Sequence, residues 1–227
     1  MPFLLIHGLG QTSEVWEETR RLLPFGDVHC PGLAHLLDGA PAEYVTLYPA
    51  FAAYCDALPQ PLHLCGLSLG GVLALQYAAE RPARAASLVL IGTPYRIPRR
   101  MLTLQSAVFR LLPARAFRQM GFSKAEVLRL SSSMAALTPS GLLPAVSCPA
   151  LVLCGGKDRA NRAAAQEIAA VLPRACLQRI PGAGHEVNRD APAQLALALA
   201  RFWTCLLYTS ESGCGSFRSA PQRCPRQ

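Results

Sequence analysis

The sequence predicts an α/β domain with a mainly parallel sheet of about six strands flanked by helices. Short apolar runs alternate with helix-compatible segments along most of the chain. A Gly-x-Ser-x-Gly turn joins one apolar run directly to a helical segment. Strands that alternate with helices favour parallel pairing through right-handed connections, and sites collect at the carboxyl ends of such strands. We therefore expect functional side chains in the loops that follow the strands.

The predicted strands are short apolar runs, each followed by glycine or proline, which break regular structure. They cover residues 3–7, 27–30, 61–65, 87–91, 150–154 and 176–180. The predicted helices lie between these strands and carry apolar residues at helical spacing. They cover residues 16–23, 42–58, 72–80, 163–172 and 192–204.

Two segments interrupt this alternation. Residues 97–143 show helical periodicity without a convincing strand, which predicts a helical lid inserted into the domain. From Cys205 onward the periodicity is lost, and an end rich in Arg, Pro and Gln follows. We therefore assign residues 1–204 to one domain. We expect residues 205–227 to be disordered or non-native, as a frameshift at the end of a coding sequence would produce.

The composition excludes several classes of protein. The 227 residues are 51% hydrophobic and 16% charged, so the chain can bury a core and is not expected to be disordered. No apolar stretch reaches the roughly 18–20 residues that a membrane span needs. The first residues do not resemble a secretory signal, which favours a cytoplasmic protein.

The basic charge does not by itself indicate a nucleic-acid partner. The formal net charge of +8 comes mainly from arginine, since Lys124 and Lys157 are the only lysines. The arginines are scattered and no aromatic residues alternate with them, which favours a solvated basic surface. The 9 cysteines include no Cys-x-x-Cys pair and no zinc pattern, which predicts no metal site. Their odd number in a chain without a secretory signal indicates reduced thiols.

The turn at residues 66–71, Gly-Leu-Ser-Leu-Gly-Gly, is the most informative feature of the chain. A serine at a sharp strand-to-helix turn is held in strained backbone geometry with its hydroxyl exposed. Gly66 and Gly70 flank it where a Cβ would collide with the neighbouring strand or helix. The spacing therefore predicts Ser68 as a nucleophile, and the alternative is a serine that only supports the turn.

A serine nucleophile requires a base, and His185 is the best placed of the 5 histidines. It lies in a glycine-rich loop just after the last predicted strand, from which an imidazole can reach across the sheet edge. His63 lies inside an apolar strand and is expected to be a core or surface residue. His29 and His35 flank a Pro-Gly loop and could line the site. The alternative for His185 is an ordinary loop histidine.

Asp158 is the best candidate for the carboxylate that orients the imidazole. It follows the fifth predicted strand, whereas the loop after the fourth offers no acid. Glu186 and Asp190 are too close in sequence to His185 for the usual geometry. The alternative for Asp158 is a surface aspartate beside Lys157.

Negative charge that develops on an attacked carbonyl oxygen requires preorganised N–H donors. The backbone N–H of Leu69, the residue after the serine, is one predicted donor. The other is the N–H of Leu9 in the loop His-Gly-Leu-Gly at residues 7–10, where Gly8 and Gly10 let the backbone approach a substrate. The alternative for this loop is a simple glycine-rich turn.

These motifs resemble those of the α/β-hydrolase superfamily, in which serine, aspartate and histidine follow one another in this chain order. The resemblance covers residues 1–204. It rests on His7-Gly8-Leu9-Gly10, Gly66-Leu67-Ser68-Leu69-Gly70-Gly71, Gly155-Gly156-Lys157-Asp158 and Gly184-His185. Within the superfamily, the chain is similar to small bacterial members with one lid. These include carboxylesterases, enol-lactonases, the biotin-pathway methyl esterase and the menaquinone-pathway synthase.

The chain departs from the family pattern in two places. The family usually has two strands ahead of the one at residues 3–7, so either the sheet has about six strands or the start of the protein lies upstream. The family also tends to place an aspartate where His29 stands, and Cys30 precedes the Pro-Gly of the next loop. That position supports loop structure more than chemistry.

The resemblance implies a serine hydrolase that cleaves a small-molecule ester, lactone or thioester through an acyl-enzyme, without metal or cofactor. Ser68 would attack the acyl carbon, His185 would take its proton and Asp158 would orient the imidazole. The lid would cap the site, and its leucines, with Met101 and Phe109, predict a mainly apolar acyl pocket.

Two alternatives stay open at this point. The first is a lyase that uses the same three residues to remove a proton from a carboxylated substrate. The lid arginines would suit such a substrate, or they could be solvated helix faces: Arg99, Arg100, Arg110, Arg115 and Arg118. The second is a ligand-binding protein that keeps this fold without catalysis.

Overall fold

The computed structural model describes residues 1–96, 111–113, 117 and 121–211, with side chains as far as residue 208. Its strands are β1 (Phe3–Ile6), β2 (Val28–His29), β3 (Leu62–Leu67), β4 (Ala85–Ile91), β5 (Ala150–Gly155) and β6 (Ala175–Ile180). They form a 6-stranded sheet in the order β2-β1-β3-β4-β5-β6. Every neighbouring pair is parallel, so the predicted α/β class and sheet are confirmed.

Helices connect the strands and cover both faces of the sheet. They are α1 (Glu17–Leu22), α2 (Leu33–Leu36), α3 (Tyr44–Ala57), α4 (Leu69–Glu80), α5 (Lys124–Ser133), α6 (Arg162–Val171), α7 (Val187–Asp190) and α8 (Pro192–Glu211). Short 3₁₀ helices occupy Ser13–Trp16, Pro82–Arg84, Met134–Ala136, Pro139–Gly141 and Leu143–Ala145. Helices α2 and α7 were not predicted, because their 4 residues are too few to show a helical period. None of the helices in the described ranges is long and apolar enough to cross a membrane.

The sheet is buried between two hydrophobic layers because its strands turn alternate side chains to opposite faces. In β1, Leu4 and Ile6 belong to the layer that contains α3, α4 and α6. Phe3 and Leu5 belong to the opposite layer, which contains Trp16 and helix α8. Burial on both faces is typical of parallel sheets and explains why the strands read as continuous apolar runs.

The parallel arrangement also collects the predicted site residues. Since the strands all run in one direction, the loops after β1, β3, β5 and β6 leave the same edge of the sheet. These loops carry Leu9, Ser68, Asp158 and His185 respectively.

The described part of the predicted lid is helical. Helix α5 begins at a capping box, in which Ser123 Oγ accepts the Glu126 N–H and the Glu126 carboxylate accepts the Ser123 N–H. Val127 and Leu130 are fully buried in the core. Apart from the leucines, the lid side chains predicted to line a pocket or to bind a carboxylate lie outside the described residues: Arg99, Arg100, Met101, Phe109, Arg110, Arg115 and Arg118.

The final helix is longer than predicted. Helix α8 continues to Glu211, so the predicted domain end at Thr204 falls inside a helix. Leu206 and Leu207 pack against the same hydrophobic layer as the buried Trp203, and this burial stabilises the helix beyond Thr204. The expectation of disorder after Thr204 is therefore wrong as far as Glu211. The rest of the C-terminal segment lies outside the described residues.

Candidate active site

Ser68 lies at the sharp turn between β3 and α4, and its backbone is strained. Its φ of 53° and ψ of −111° put a residue with a side chain in a region that glycine favours. A Cβ on Gly66 would lie 2.2 Å from the carbonyl oxygen of Gly70, and one on Gly70 would lie 2.3 Å from that of Ile6. The predicted strain and the predicted need for both glycines are confirmed. The hydroxyl is carried at the carboxyl edge of the sheet on a half-buried residue.

Asp158 and His185 form a hydrogen-bonded pair at this edge. Asp158 Oδ2 lies 2.9 Å from His185 Nδ1. The Asp158 side chain is only 4% exposed, whereas the His185 side chain is 41% exposed. The carboxylate is therefore enclosed while the imidazole stays open to an incoming molecule. We assign the proton to Nδ1, because an ionised carboxylate can only accept a hydrogen bond.

Asn161 is hydrogen-bonded to the same carboxylate and was not predicted from the sequence as a site residue. Its side-chain Nδ2 lies 3.0 Å from Oδ1 and 2.9 Å from Oδ2 of Asp158, and its backbone N–H donates to Oδ1 at 3.2 Å. Burial opposes ionisation of Asp158, but the hydrogen bonds from His185 and Asn161 outweigh it and hold the pKa of the carboxyl below its usual value. Asn161 is the N-cap residue of α6, and an asparagine shortly after the aspartate was the available signal.

Gly92, at the end of β4, connects the serine to the imidazole. The Ser68 N–H donates to the carbonyl oxygen of Ile91 at 2.9 Å, which ties the turn to the residue before Gly92. A Cβ on Gly92 would lie 2.9 Å from His185 Nδ1 and 3.5 Å from Asp158 Oδ2. The serine backbone and the imidazole therefore both lie against the end of β4. No hydrogen bond of the described residues joins the Ser68 hydroxyl to His185.

The loop after β1 is held by His7, which is 1% exposed. His7 Nε2 accepts the Leu33 N–H at 3.0 Å, so the proton of the neutral ring lies on Nδ1, which donates to the Gly8 carbonyl at 2.9 Å. Burial lowers the pKa of His7 and outweighs the opposing hydrogen bond to Gly8. In a trans peptide the C=O and N–H point in opposite directions. Because the Gly8 carbonyl is held inward, the Leu9 N–H is directed away from it.

The two predicted oxyanion donors come from neighbouring pieces of backbone. A Cβ on Gly70 would also lie 2.7 Å from the carbonyl oxygen of His7, and one on Gly8 would lie 3.5 Å from Ser68 Cβ. The loop after β1 therefore packs directly on the start of α4. Among the hydrogen bonds of the described ranges, neither the Leu9 N–H nor the Leu69 N–H has an acceptor. Leu69 is also the first residue of α4, where the helix dipole favours negative charge.

The other histidines do not belong to this cluster. His63 is 1% exposed and its Nδ1 lies 2.8 Å from Ser87 Oγ, so of the two expected places, core or surface, it occupies the core. His29 Nε2 lies 2.8 Å from a carboxylate oxygen of Asp27 at the sheet margin. No contact that the structure describes brings His29 or His35 to Ser68.

The remaining acids near His185 support its loop. Asp190 Oδ2 accepts the Gly184 N–H at 2.6 Å, and Glu186 pairs with Arg189. These contacts leave Asp158 as the carboxylate bonded to the imidazole. Within the described ranges, no group of three or more His, Cys, Asp or Glu side chains is arranged to hold a metal ion.

A cleft of about 180 Å³ opens beside Asn161, between the segment after β4 and the start of α6. Its walls mix apolar and charged side chains, among them Tyr95, Arg96 and Glu167. This cleft therefore adjoins the acid side of the Asp158–His185 pair.

Comparison with known proteins identifies the family. The sequence pattern of the alpha/beta hydrolase family matches residues 3–199. This chain belongs to the alpha/beta hydrolase family. The esterase of Thermogutta terrifontis has a similar structure, with a TM-score of 0.68 at 23% identity over 91% of this chain and 90% of the other. NosK from Streptomyces actuosus has a TM-score of 0.74 at 24% identity over 91% and 99% of the two chains. At these identities the likeness concerns the fold.

Two curated relatives share a name. Both are called pimeloyl-[acyl-carrier protein] methyl ester esterase. The one from Aromatoleum aromaticum is 41% identical over 40% of this chain and 36% of its own length. The one from Methylococcus capsulatus is 35% identical over 40% of this chain and 37% of its own length. The chain therefore aligns with little more than a third of either relative.

Proposed function

We propose that this protein hydrolyses carboxylic esters through a serine nucleophile. The observation that carries the proposal is the hydrogen bond between Asp158 and His185 at 2.9 Å, at the sheet edge that also carries Ser68 on a strained turn. An exposed imidazole oriented by a buried carboxylate is the arrangement that lets a neighbouring alcohol attack an acyl carbon.

In the proposed reaction, Ser68 Oγ attacks the carbonyl carbon while His185 Nε2 takes the hydroxyl proton. The alcohol then leaves with that proton, and the acyl group stays on the serine. A water molecule then attacks the acyl-enzyme, with His185 as its general base, and the carboxylic acid is released from Ser68. Asp158 stabilises the imidazolium formed in each half, and the lowered pKa of its carboxyl keeps it ionised near neutral pH. No step needs a metal or cofactor.

The N–H groups of Leu9 and Leu69 are the proposed oxyanion donors. Both lack an acceptor among the described residues, and the packing of the loop after β1 on α4 supports their convergence. Donors that are already oriented stabilise developing charge without reorganisation, and one donor is worth about 3 kcal/mol of activation free energy.

The names of the curated relatives refine the substrate class. Both relatives are called methyl ester esterases, so esters with a small alcohol group are the first substrates to test. We propose that the acyl side carries the larger part of the substrate and that the lid covers it.

The direct test is labelling with a fluorophosphonate probe, followed by turnover of methyl and p-nitrophenyl esters of increasing acyl length. We expect the folded protein to be labelled, and Ser68→Ala to abolish both labelling and turnover. Ser123→Ala, which removes an exposed serine on the described part of the lid, is the matched control and should retain both.

Each outcome bears on the proposal. Labelling without turnover of any ester would replace ester hydrolysis by the lyase alternative. A folded protein that the probe does not label would overturn the serine nucleophile itself. Labelling that persists in Ser68→Ala would move the nucleophile to another residue.

A further inference from the structure

A buried pair of side-chain amides links the loop after β1 to the helix that follows His185. Gln11 Nε2 donates to Asn188 Oδ1 at 3.2 Å, and Asn188 Nδ2 donates to Gln11 Oε1 at 3.1 Å. The two residues are 177 positions apart in sequence. Their exposures are 2% and 1%, so both amides are enclosed away from solvent.

Gln11 also holds the residue before the proposed oxyanion donor. Its Oε1 accepts the Gly8 N–H at 3.2 Å, and its own backbone N–H donates to the Gly8 carbonyl at 3.3 Å. That carbonyl shares a peptide plane with the Leu9 N–H, so the orientation of this donor depends on Gln11 as well as on His7.

Asn188 is tied to the backbone of His185 through its short helix. Asn188 lies in α7, and the N–H of Val187 donates to the carbonyl oxygen of His185 at 3.0 Å. Strands β3, β4 and β5 lie between β1 and β6. The segments that carry the two amides therefore meet across the edge of the sheet that carries Ser68. It joins the loop of the proposed oxyanion donor to the loop of the proposed base.

We infer that Gln11 and Asn188 act as one positioning unit, which holds the oxyanion loop and the histidine loop at a constant separation during the reaction. This inference rests on the proposed function. Neither residue is required to touch the substrate. Because their amides satisfy each other in a buried setting, removing one leaves the other unpaired and frees both loops. A displacement of about 1 Å at a catalytic group can cost about 10²-fold in rate.

The test uses the lengths of the two side chains. Gln11→Asn shortens one partner and Asn188→Gln lengthens the other, whereas the double swap restores the total number of carbon atoms between the backbones. We expect each single variant to lower kcat by about 10- to 100-fold with KM nearly unchanged, because oxyanion donors act in the transition state. We expect the double swap to recover most of kcat.

Two measurements separate positioning from a loss of folding. Rates are divided by the fraction of protein that a fluorophosphonate labels, so that unfolded molecules do not count. Gln76→Leu is the matched control. Gln76 lies on α4, roughly 12 Å along the helix from Ser68. Its side-chain amide is hydrogen-bonded to Tyr44 and to Glu80, and the substitution removes both bonds. It should lower thermal stability without lowering kcat per labelled site.

The outcomes are distinct. Recovery in the double swap supports the inference. Single variants whose kcat per labelled site equals that of the wild type would overturn it, even if they melt earlier. The inference would also be overturned if the fold-loss in kcat of the double swap equalled the product of the two single losses. Two residues that act through one shared contact cannot have additive effects on the activation free energy. A wild-type protein that neither labels nor hydrolyses esters would instead contradict the proposed function.

Discussion

Asp158 Oδ2 lies 2.9 Å from Nδ1 of His185, although 27 positions of sequence separate the two residues. They meet because their loops follow β5 and β6, which pair in parallel at one side of the sheet. The carboxylate is buried and held by Asn161, whereas the imidazole is open. The pair therefore joins a rigid anion to a reachable base.

Asp158→Asn should leave the fold intact and reduce kcat by about 10⁴-fold, because an amide at this position favours the wrong imidazole tautomer. Steady-state ester hydrolysis measures the effect, with circular dichroism to verify folding. Asp27→Asn is the matched control, because Asp27 is an exposed carboxylate that also pairs with a histidine. It should leave kcat nearly unchanged. A rate for Asp158→Asn within about tenfold of the wild type would place the acid elsewhere.

Gly92→Ala should damage activity more than stability. Its φ is +52°, and a Cβ there would lie 2.9 Å from His185 Nδ1, so the imidazole would have to move. We expect a loss of about 10²-fold in kcat/KM. Gly39→Ala is the control, since its φ is +82° and a Cβ there would meet nothing within 4 Å. Both variants should lose about 1–2 kcal/mol in urea unfolding, and equal activities would contradict the role of Gly92.

His7→Leu should lower kcat by about 10²-fold, because it releases the Gly8 carbonyl and with it the orientation of the Leu9 N–H. His63→Leu is the matched control, since both histidines are 1% exposed but His63 bonds to Ser87 within the core. Each variant should cost about 1–3 kcal/mol of unfolding free energy. Turnover per fluorophosphonate-labelled site distinguishes them. An equal fall in both would show that stability alone accounts for the effect.

The buried His63 should make the protein acid-sensitive. Burial, with a smaller contribution from the N-terminal amino group, lowers the pKa of His63 from 6.5 to about 4. Between those values the unfolded chain binds more protons than the folded one. The free energy of unfolding should therefore fall as the pH falls through this window, by at most about 1.4 kcal/mol per pH unit from this residue.

Urea titrations near pH 7 and near pH 5 measure this dependence. His63→Leu should flatten it, although His7 will leave some slope because burial also lowers its pKa. A variant with the same pH dependence as the wild type would show that folding does not lower the pKa of His63.

Much of the fold and the core of the candidate site could be predicted, because they depend on short-range features. The collision at Gly66 and Gly70 and the strain at Ser68 follow from the order of residues around one turn. The alternation of apolar runs with helices predicted a parallel sheet. That sheet collects Leu9, Asp158 and His185 at its carboxyl edge.

Contacts between distant parts of the chain could not be predicted in this way. Asp190 is closer to His185 in sequence than Asp158 is, yet it accepts the Gly184 N–H. The pairing of Gln11 with Asn188 has no local signature, because each is an ordinary polar residue until the other is buried against it. Likewise, the end of α8 depends on what Leu206 and Leu207 can pack against.

The order of residues along the chain was enough to place the strands, the longer helices and the turn at Ser68, since steric limits and the period of apolar residues act over a few positions. Which buried polar groups satisfy one another became visible only in the folded chain. That choice depends on strand order and loop packing, because a buried amide or carboxylate is stable only where a partner of the right geometry is enclosed with it.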